Sequence, residues 1–259
     1  VGERSVTDVI DYLVGLDLGQ ASDYTAIAVL EEPVWIPPTE PRNPNDAIYW
    51  PRDRRGWVSI TDLLPAAADH FRGLNYYHDQ RPGRPPLFVR HLERVRHISY
   101  SAIVQRVADL MRRPPLADAG VALLVDYGGP GRPVVDMLDQ AGLAPLCIAI
   151  HGGQDVAVDG RIKRVPKRDL VVATQAALQD GRLRIAGGLE HAATLTKELA
   201  DYRVRITQTG HDQYDARSGQ HDDLVLAVAM AVWFRDWHWK LYDPRAERTK
   251  QHERMEAYR

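Results

Sequence analysis

The sequence predicts an α/β fold built on a mixed sheet, on three observations. Two apolar segments, residues 12–19 and 25–31, lie close enough to form a hairpin. From residue 99 to 150 helical periodicity alternates with short continuous apolar runs, giving helix, strand, helix, strand. Near the end, LVLAVAMAVWF is apolar all round, as a helix buried on every side must be.

Each element has its own reason. The segment 33–55 is rich in proline, asparagine and charge and reads as a long loop. Residues 57–60 could return to the sheet, and a helix is expected over 66–71. LFVRHLERV, after the breaker DQRPGRPP, is a mixed apolar and charged strand. Ser99 or Ser101 caps the helix SAIVQRVADLMRR, which Pro114 and Pro115 end. VALLVD is a strand buried on both faces, residues 132–141 a helix, and PLCIAI the next strand. Pro166 starts a helix reaching about Gln179. Residues 189–202 form another, 202–207 alternate like a strand, 211–217 could pair with it, and the buried helix opens at His221.

The bulk numbers exclude several classes. With 259 residues, 44% of them hydrophobic, the chain can bury a sizeable core, and its net charge of −2 gives no global basic field. Cys147 is the sole cysteine, so there is no disulfide framework and no cysteine-based zinc site, and PLCIAI makes it a packing residue. No run is long enough to span a bilayer and no secretory signal opens the chain. The expectation is a cytoplasmic protein with no membrane partner.

Acid stands in apolar sequence at three places. Asp17 lies mid-strand in GLDLGQASDYTAIAV, flanked on its own face by Gly15 and Gly19, which should leave room for something bulky above the carboxylate. A strand-end aspartate held by backbone amides fits that position equally. Asp126 ends VALLVD, where ligands gather in open α/β sheets, though a turn or cap role suits it too. Asp222 and Asp223 open the buried helix, where a cap is the ordinary role, although two adjacent carboxylates are more acid than a cap requires.

Taken in order, these acids resemble the arrangement of ribonuclease H-like nucleases. More narrowly, GLDLGQASDYTAIAV, LLVDYGGPGRPVVDML and GQHDDLVLAVAMAVW, with VPKRDLVVATQAALQDGRLRIA between them, resemble the C-terminal nuclease domain of phage terminase large subunits. The resemblance implies a ribonuclease H-like mixed sheet flanked by helices over 1–242, with 33–56 a variable insertion and 243–259 a charged tail. It implies that Asp17, Asp126, Asp222 and Asp223 are catalytic and hold two Mg²⁺ or Mn²⁺ ions, hard cations that take oxygen ligands. Such an ion pair, about 3.5–4 Å apart, activates water and steadies the leaving oxygen. Which of Asp222 and Asp223 binds directly is open, since neighbours on a helix point about 100° apart. The implied partners are double-stranded DNA and packaging components such as an ATPase. No G-x-x-x-x-G-K-[ST] occurs here, so the expectation is either an excised domain or a free-standing terminase-like nuclease.

The densest basic stretch is RIKRVPKR, and its Lys163, Arg164, Lys167 and Arg168 are the expected phosphate contacts. Arg203 and Arg205, alternating on the expected strand, would form a second ridge. Nothing resembles a base-reading module, so little sequence specificity is expected. Asp23 suits the hairpin turn, and His211 and His221 are lesser candidates for proton transfer. Two other readings compete. DLGQASDYT with YGGPG is similar to the phosphate loops of actin-like or sugar-kinase-like ATPases, but the acids of HDD have no task there. A non-catalytic interaction domain would be expected to lose an acid, and none is missing.

Overall fold

A computed structural model describes residues 10–19, 23–36, 48–50, 84–208 and 222–242. The chain divides into two compact units, Val1–Glu32 with Leu87–Trp233, and Pro33–Pro86 with Phe234–Arg259. Strands β1 (Tyr12–Asp17) and β2 (Thr25–Glu31) are followed by β3 (Val34–Ile36) and β4 (Ile48–Trp50), then β5 (Leu87–Val95). Helix α1 (Tyr100–Met111), β6 (Val121–Asp126), α2 (Gly131–Gln140), β7 (Leu146–His151), β8 (Ala157–Asp159) and β9 (Ile162–Pro166) come next. Helix α3 (Lys167–Gln179), β10 (Leu183–Ile185), α4 (Ala192–Gln208) and α5 (Asp223–Tyr242) complete the described chain.

The first unit is built on an eight-stranded sheet in the order β10-β5-β2-β1-β6-β7-β9-β8. Strands β1, β6, β7 and β9 are mutually parallel. β5 and β10 point the same way, because β2 is antiparallel to both β1 and β5 and β10 is parallel to β5. Only β2 and β8 oppose them. One edge of the sheet therefore collects the carboxyl ends of β5, β1, β6, β7 and β9. β1 and β2 are buried along their whole length, as strands covered on both faces must be. This is the α/β mixed sheet flanked by helices that the sequence led us to expect.

One close approach fixes α5 against the sheet. A Cβ on Gly15 would collide with the Ala227 carbonyl oxygen and lie 2.8 Å from its carbon. The backbone of α5 thus rests directly on β1, on the face that Asp17 shares. The room expected there above the Asp17 carboxylate is filled by the helix. Gly19 likewise leaves no opening, since a Cβ there would lie 2.5 Å from the Tyr24 carbonyl carbon and 2.7 Å from that of Asp23. Its missing side chain serves the turn into β2. The apolar stretch of α5 is apolar on every side for the expected reason: Leu224, Val225 and Ala227 through Val232 are fully buried.

Some elements differ from expectation. Residues 202–207 continue helix α4 rather than forming a strand. Their alternation of Arg203 and Arg205 with Val204 and Ile206 has a period of two, but no proline or glycine interrupts the chain from Leu189 to Gln208, so the running helix is not broken. The expected loop at 33–55 contains a two-stranded antiparallel ladder, β3 with β4, within the second unit. In that unit Arg84 Nη1 also meets Asp236 Oδ2 at 2.7 Å. The basic stretch contributes strand β9 and pairs with β8 around Gly160, whose φ is 55°. The cap of α1 is Ser99, which accepts the Ala102 amide at 3.2 Å. The elements expected at 57–60, 66–71 and 211–217, His211 and His221, and the tail 243–259 lie outside the described residues.

Gly15→Ala should therefore destabilise the fold by about 1–3 kcal/mol or more, whereas Gly187→Ala, with nothing within 4 Å of the added carbon, should be near neutral. Denaturant midpoints of the two variants check this.

Candidate active site

The sheet edge brings the first two acids together. β1 and β6 are parallel neighbours, and their paired register ends at Leu16 against Val125. Asp17 and Asp126 are the next residue on each strand. In the other direction Asp17 pairs with Ala26 and Ala26 with Arg94. Directly opposed residues of antiparallel strands share a face, so Arg94 stands two strands from Asp17 on the same face, with only an alanine between.

The close approach at Gly15 delivers the rest. From Ala227 back to Asp223 is four residues of helix, about 6 Å. From Gly15 forward to Asp17 is two residues of strand, about 6.6 Å. A helix seated on Gly15 at Ala227 and running back along β1 therefore puts its first turn over Asp17. The electrostatics agree: burial first, then the charges of Asp126, Asp223 and Asp222, push the Asp17 carboxyl well above the usual carboxylate range, with Lys167 opposing. Burial raises Asp126 as well, against the pull of the Gly128 amide and Lys167.

The ordinary cap role does not explain Asp222. Its carbonyl accepts the Leu226 amide at 2.9 Å, which makes it the N-cap of α5. The amide three residues on, Val225, is the one a capping aspartate side chain ordinarily takes. Here it is donated to Glu198 Oε2 of α4, at 3.1 Å. The Asp222 carboxylate is left to accept from Lys167 Nζ at 3.1 Å. Asp223 accepts from Arg94 Nη2 at 2.8 Å, and the same guanidinium lies over the Tyr24 ring, 3.8 Å from its centroid.

Two of the four acids are thus balanced by cationic side chains, while Asp17 and Asp126 hold their protons more tightly than usual. The donor set is all oxygen, which suits a hard divalent cation. Among the described residues, no group of three or more His, Cys, Asp or Glu side chains stands in metal-holding geometry. Lys167 and Arg94 each occupy an oxygen of an acid that such a group would need.

The basic stretch does not act as one patch. Lys163 is 5% exposed on β9, and burial lowers its ammonium pKa, so it is no surface phosphate contact as it stands. Lys167 turns into the acidic cluster. Arg168 donates to the Gln154 carbonyl at 2.6 Å, and Arg164 is exposed. Arg203 and Arg205 lie on helix α4 and not on the strand expected for them.

Sequence reasoning missed Arg94 and Glu198 and misplaced Lys167. Signals existed for two of them. Glu198 interrupts an apolar stripe with Leu195 and Leu199, all three buried. Lys167 is the first residue of α3, where the helix dipole disfavours a cation; the Asp222 carboxylate supplies the compensation.

No protein-family model and no curated protein matches the chain. Among solved structures it is similar to the large terminase nuclease from thermophilic phage G20c with bound cobalt, at 19% identity and TM-score 0.46, over 89% of this chain and 88% of that one. It is similar to the P22 large terminase nuclease domain, at 10% identity and TM-score 0.44, over 90% and 85% of the two chains. It is also similar to the manganese-soaked human cytomegalovirus terminase nuclease domain, at 13% identity and TM-score 0.39, over 86% and 84%.

A carboxyl whose pKa is raised by folding adds stability below its unfolded value, near 4, and loses it as pH rises through the folded value. Asp17→Asn removes that loss. In chelator at pH 7.5 the variant should melt above wild type, and the gap should close as pH falls toward 4.5. Thermal melts across that range check it; identical melting curves at every pH would contradict the charge cluster.

Proposed function

We propose that the chain is a divalent-metal-dependent DNA endonuclease of terminase type, cutting with little sequence specificity. The observation that carries this is the convergence of Asp17, Asp126, Asp222 and Asp223 on one sheet edge, where the other three raise the proton affinity of Asp17. Such an excess of buried negative charge is what a pair of hard cations would neutralise. In this reading Asp17 and Asp126 are the central ligands, and Asp222 and Asp223 join them from the head of α5. The ions, Mg²⁺ or Mn²⁺, would supply charge neutralisation at the phosphate and a water made nucleophilic at neutral pH.

The chain's own residues do the rest. Val125 and the buried stretch of α5 from Ala227 to Val232 pack behind the acids. Lys167 would hand Asp222 over to a cation and become available to a phosphate oxygen. Exposed Arg164, with Arg168 beside it, would follow the DNA backbone away from the acids. A packaging ATPase and its assembly are the partners this reading implies.

The turn YGGPG gives the ATPase alternative little support. In YGGPG the Gly128 amide is donated to Asp126 Oδ1 at 2.9 Å and the Gly131 amide to the Gly128 carbonyl at 2.7 Å, so two amides of the turn point inward.

Plasmid nicking in Mn²⁺ should be nearly abolished by Asp17→Asn; undiminished nicking would refute the site, and micromolar ATP binding by calorimetry would revive the alternative. Arg164→Ala with Arg168→Ala should weaken DNA binding in Ca²⁺ alike for all sequences. For every phosphate that an arginine no longer reaches, the slope of log affinity against log salt should fall by roughly 0.9, read by fluorescence anisotropy.

A further inference from the structure

Arg94 is unusual in its partners. It leaves the carboxyl end of β5 and reaches two acids from two different helices. Its Nη2 is 2.8 Å from Asp223 Oδ2 at the head of α5 and 3.7 Å from Glu198 Oε1 of α4. The first distance is a charge-assisted hydrogen bond; the second is too long for one. Glu198 Oε1 and Arg94 Nε are both fully buried and make no hydrogen bond. A buried carboxylate oxygen and a buried guanidinium N–H without partners each cost free energy. These two are complementary, and they belong to a pair already close together. A modest rotation of the guanidinium would satisfy both and withdraw it from Asp223. The Tyr24 ring under the guanidinium, 3.8 Å away, offers a flat surface for such a movement.

Glu198 is also well placed to receive it. Its Oε2 is fixed by the Val225 amide, so the carboxylate is anchored to the same helix turn that carries Asp223. Oε1 is its free end.

We infer that Arg94 is a positioning residue shared between Asp223 and Glu198: it holds the Asp223 carboxylate in the absence of metal and transfers to Glu198 when a divalent cation takes that carboxylate. This rests on the metal-dependent reading of the acidic cluster and adds to it a relay of two residues outside the four acids. The transfer keeps the positive charge of Arg94 beside a carboxylate in both states, so cation binding does not strand a buried charge. It also makes cation affinity depend on Glu198, which is not itself one of the four expected ligands.

The test is a double-mutant cycle read by calorimetric titration of Mn²⁺ into wild type, Glu198→Gln, Arg94→Met and the double variant, each checked for folding by circular dichroism. Glu198→Gln keeps an oxygen for the Val225 amide but removes the charge that would receive Arg94. It should weaken Mn²⁺ binding on the order of 10- to 100-fold, the range for partners that orient metal ligands. In the Arg94→Met background the same change should have no further effect. An equal weakening in both backgrounds would show that Glu198 acts only as a cap, and no weakening in either would also overturn the inference. If Arg94→Met fails to fold, Arg94→Lys replaces it; a lysine cannot span both carboxylates, so the Glu198→Gln effect should shrink there, and an undiminished effect refutes the relay. Wild-type protein that binds no Mn²⁺ would remove the metal reading and this inference with it, whereas wild-type binding without coupling removes this inference alone.

Discussion

The contact between Gly15 and the Ala227 carbonyl decides where everything else in the site stands. A strand residue with no side chain lets a helix backbone settle onto the sheet, closer than any Cβ would allow. Helix rise and strand rise then do the rest, because four residues of one nearly equal two of the other. Asp223 comes near enough for its charge to act on Asp17, and Asp126 follows the last paired residue of the parallel strand beside it. The apolar surface of α5 is the adhesive for this arrangement. Its burial offsets the unfavourable gathering of acids at the helix head, and the sheet edge is the end that such gathering can reach.

Four carboxylates in one place need positive charge, and the fold meets this only in part. Lys167 stands against Asp222 and Arg94 against Asp223, while burial raises the proton affinity of both Asp17 and Asp126, and the neighbouring acids raise that of Asp17 further. Glu198, nearby and likewise buried, is pushed up to about 7, by burial first. In the proposed reading a cation would relieve repulsion among several of these groups at once. The same cluster would repel a DNA phosphate until the cation arrives, so charge neutralisation and substrate approach are linked in the proposed enzyme.

Much of this was legible in the sequence because its signals are local. The first hairpin, the buried strand VALLVD, the helix after Pro166 and the apolar stretch of α5 formed where apolar pattern and breakers placed them. The candidate acids could be found because a carboxylate inside an apolar run is rare enough to ask for a reason. What failed was whatever depended on a neighbour distant in sequence. Gly15 looked like an opening for a ligand and is a seat for a helix. Lys167 looked like part of a basic surface, yet a single carboxylate 55 residues away turns it inward. Lys163 counted as charge in the sequence and is buried by strand pairing. Arg94 carried no signal of its own in LFVRHLERV, since its task depends on Ala26 being small and on two helices that come more than 100 residues later. The alternation at 202–207 was a true period-two pattern that a helix already under way did not obey.

The central claim is that Asp17 and Asp126 form the centre of a cation site to which the head of α5 contributes. Crystals soaked in Mn²⁺ and measured at the manganese edge test it most directly. Anomalous density between the Asp17 and Asp126 carboxylates, with an Asp222 or Asp223 oxygen turned toward it, is the predicted result. Density absent there at saturating Mn²⁺, or seated elsewhere on the molecule, would contradict the account.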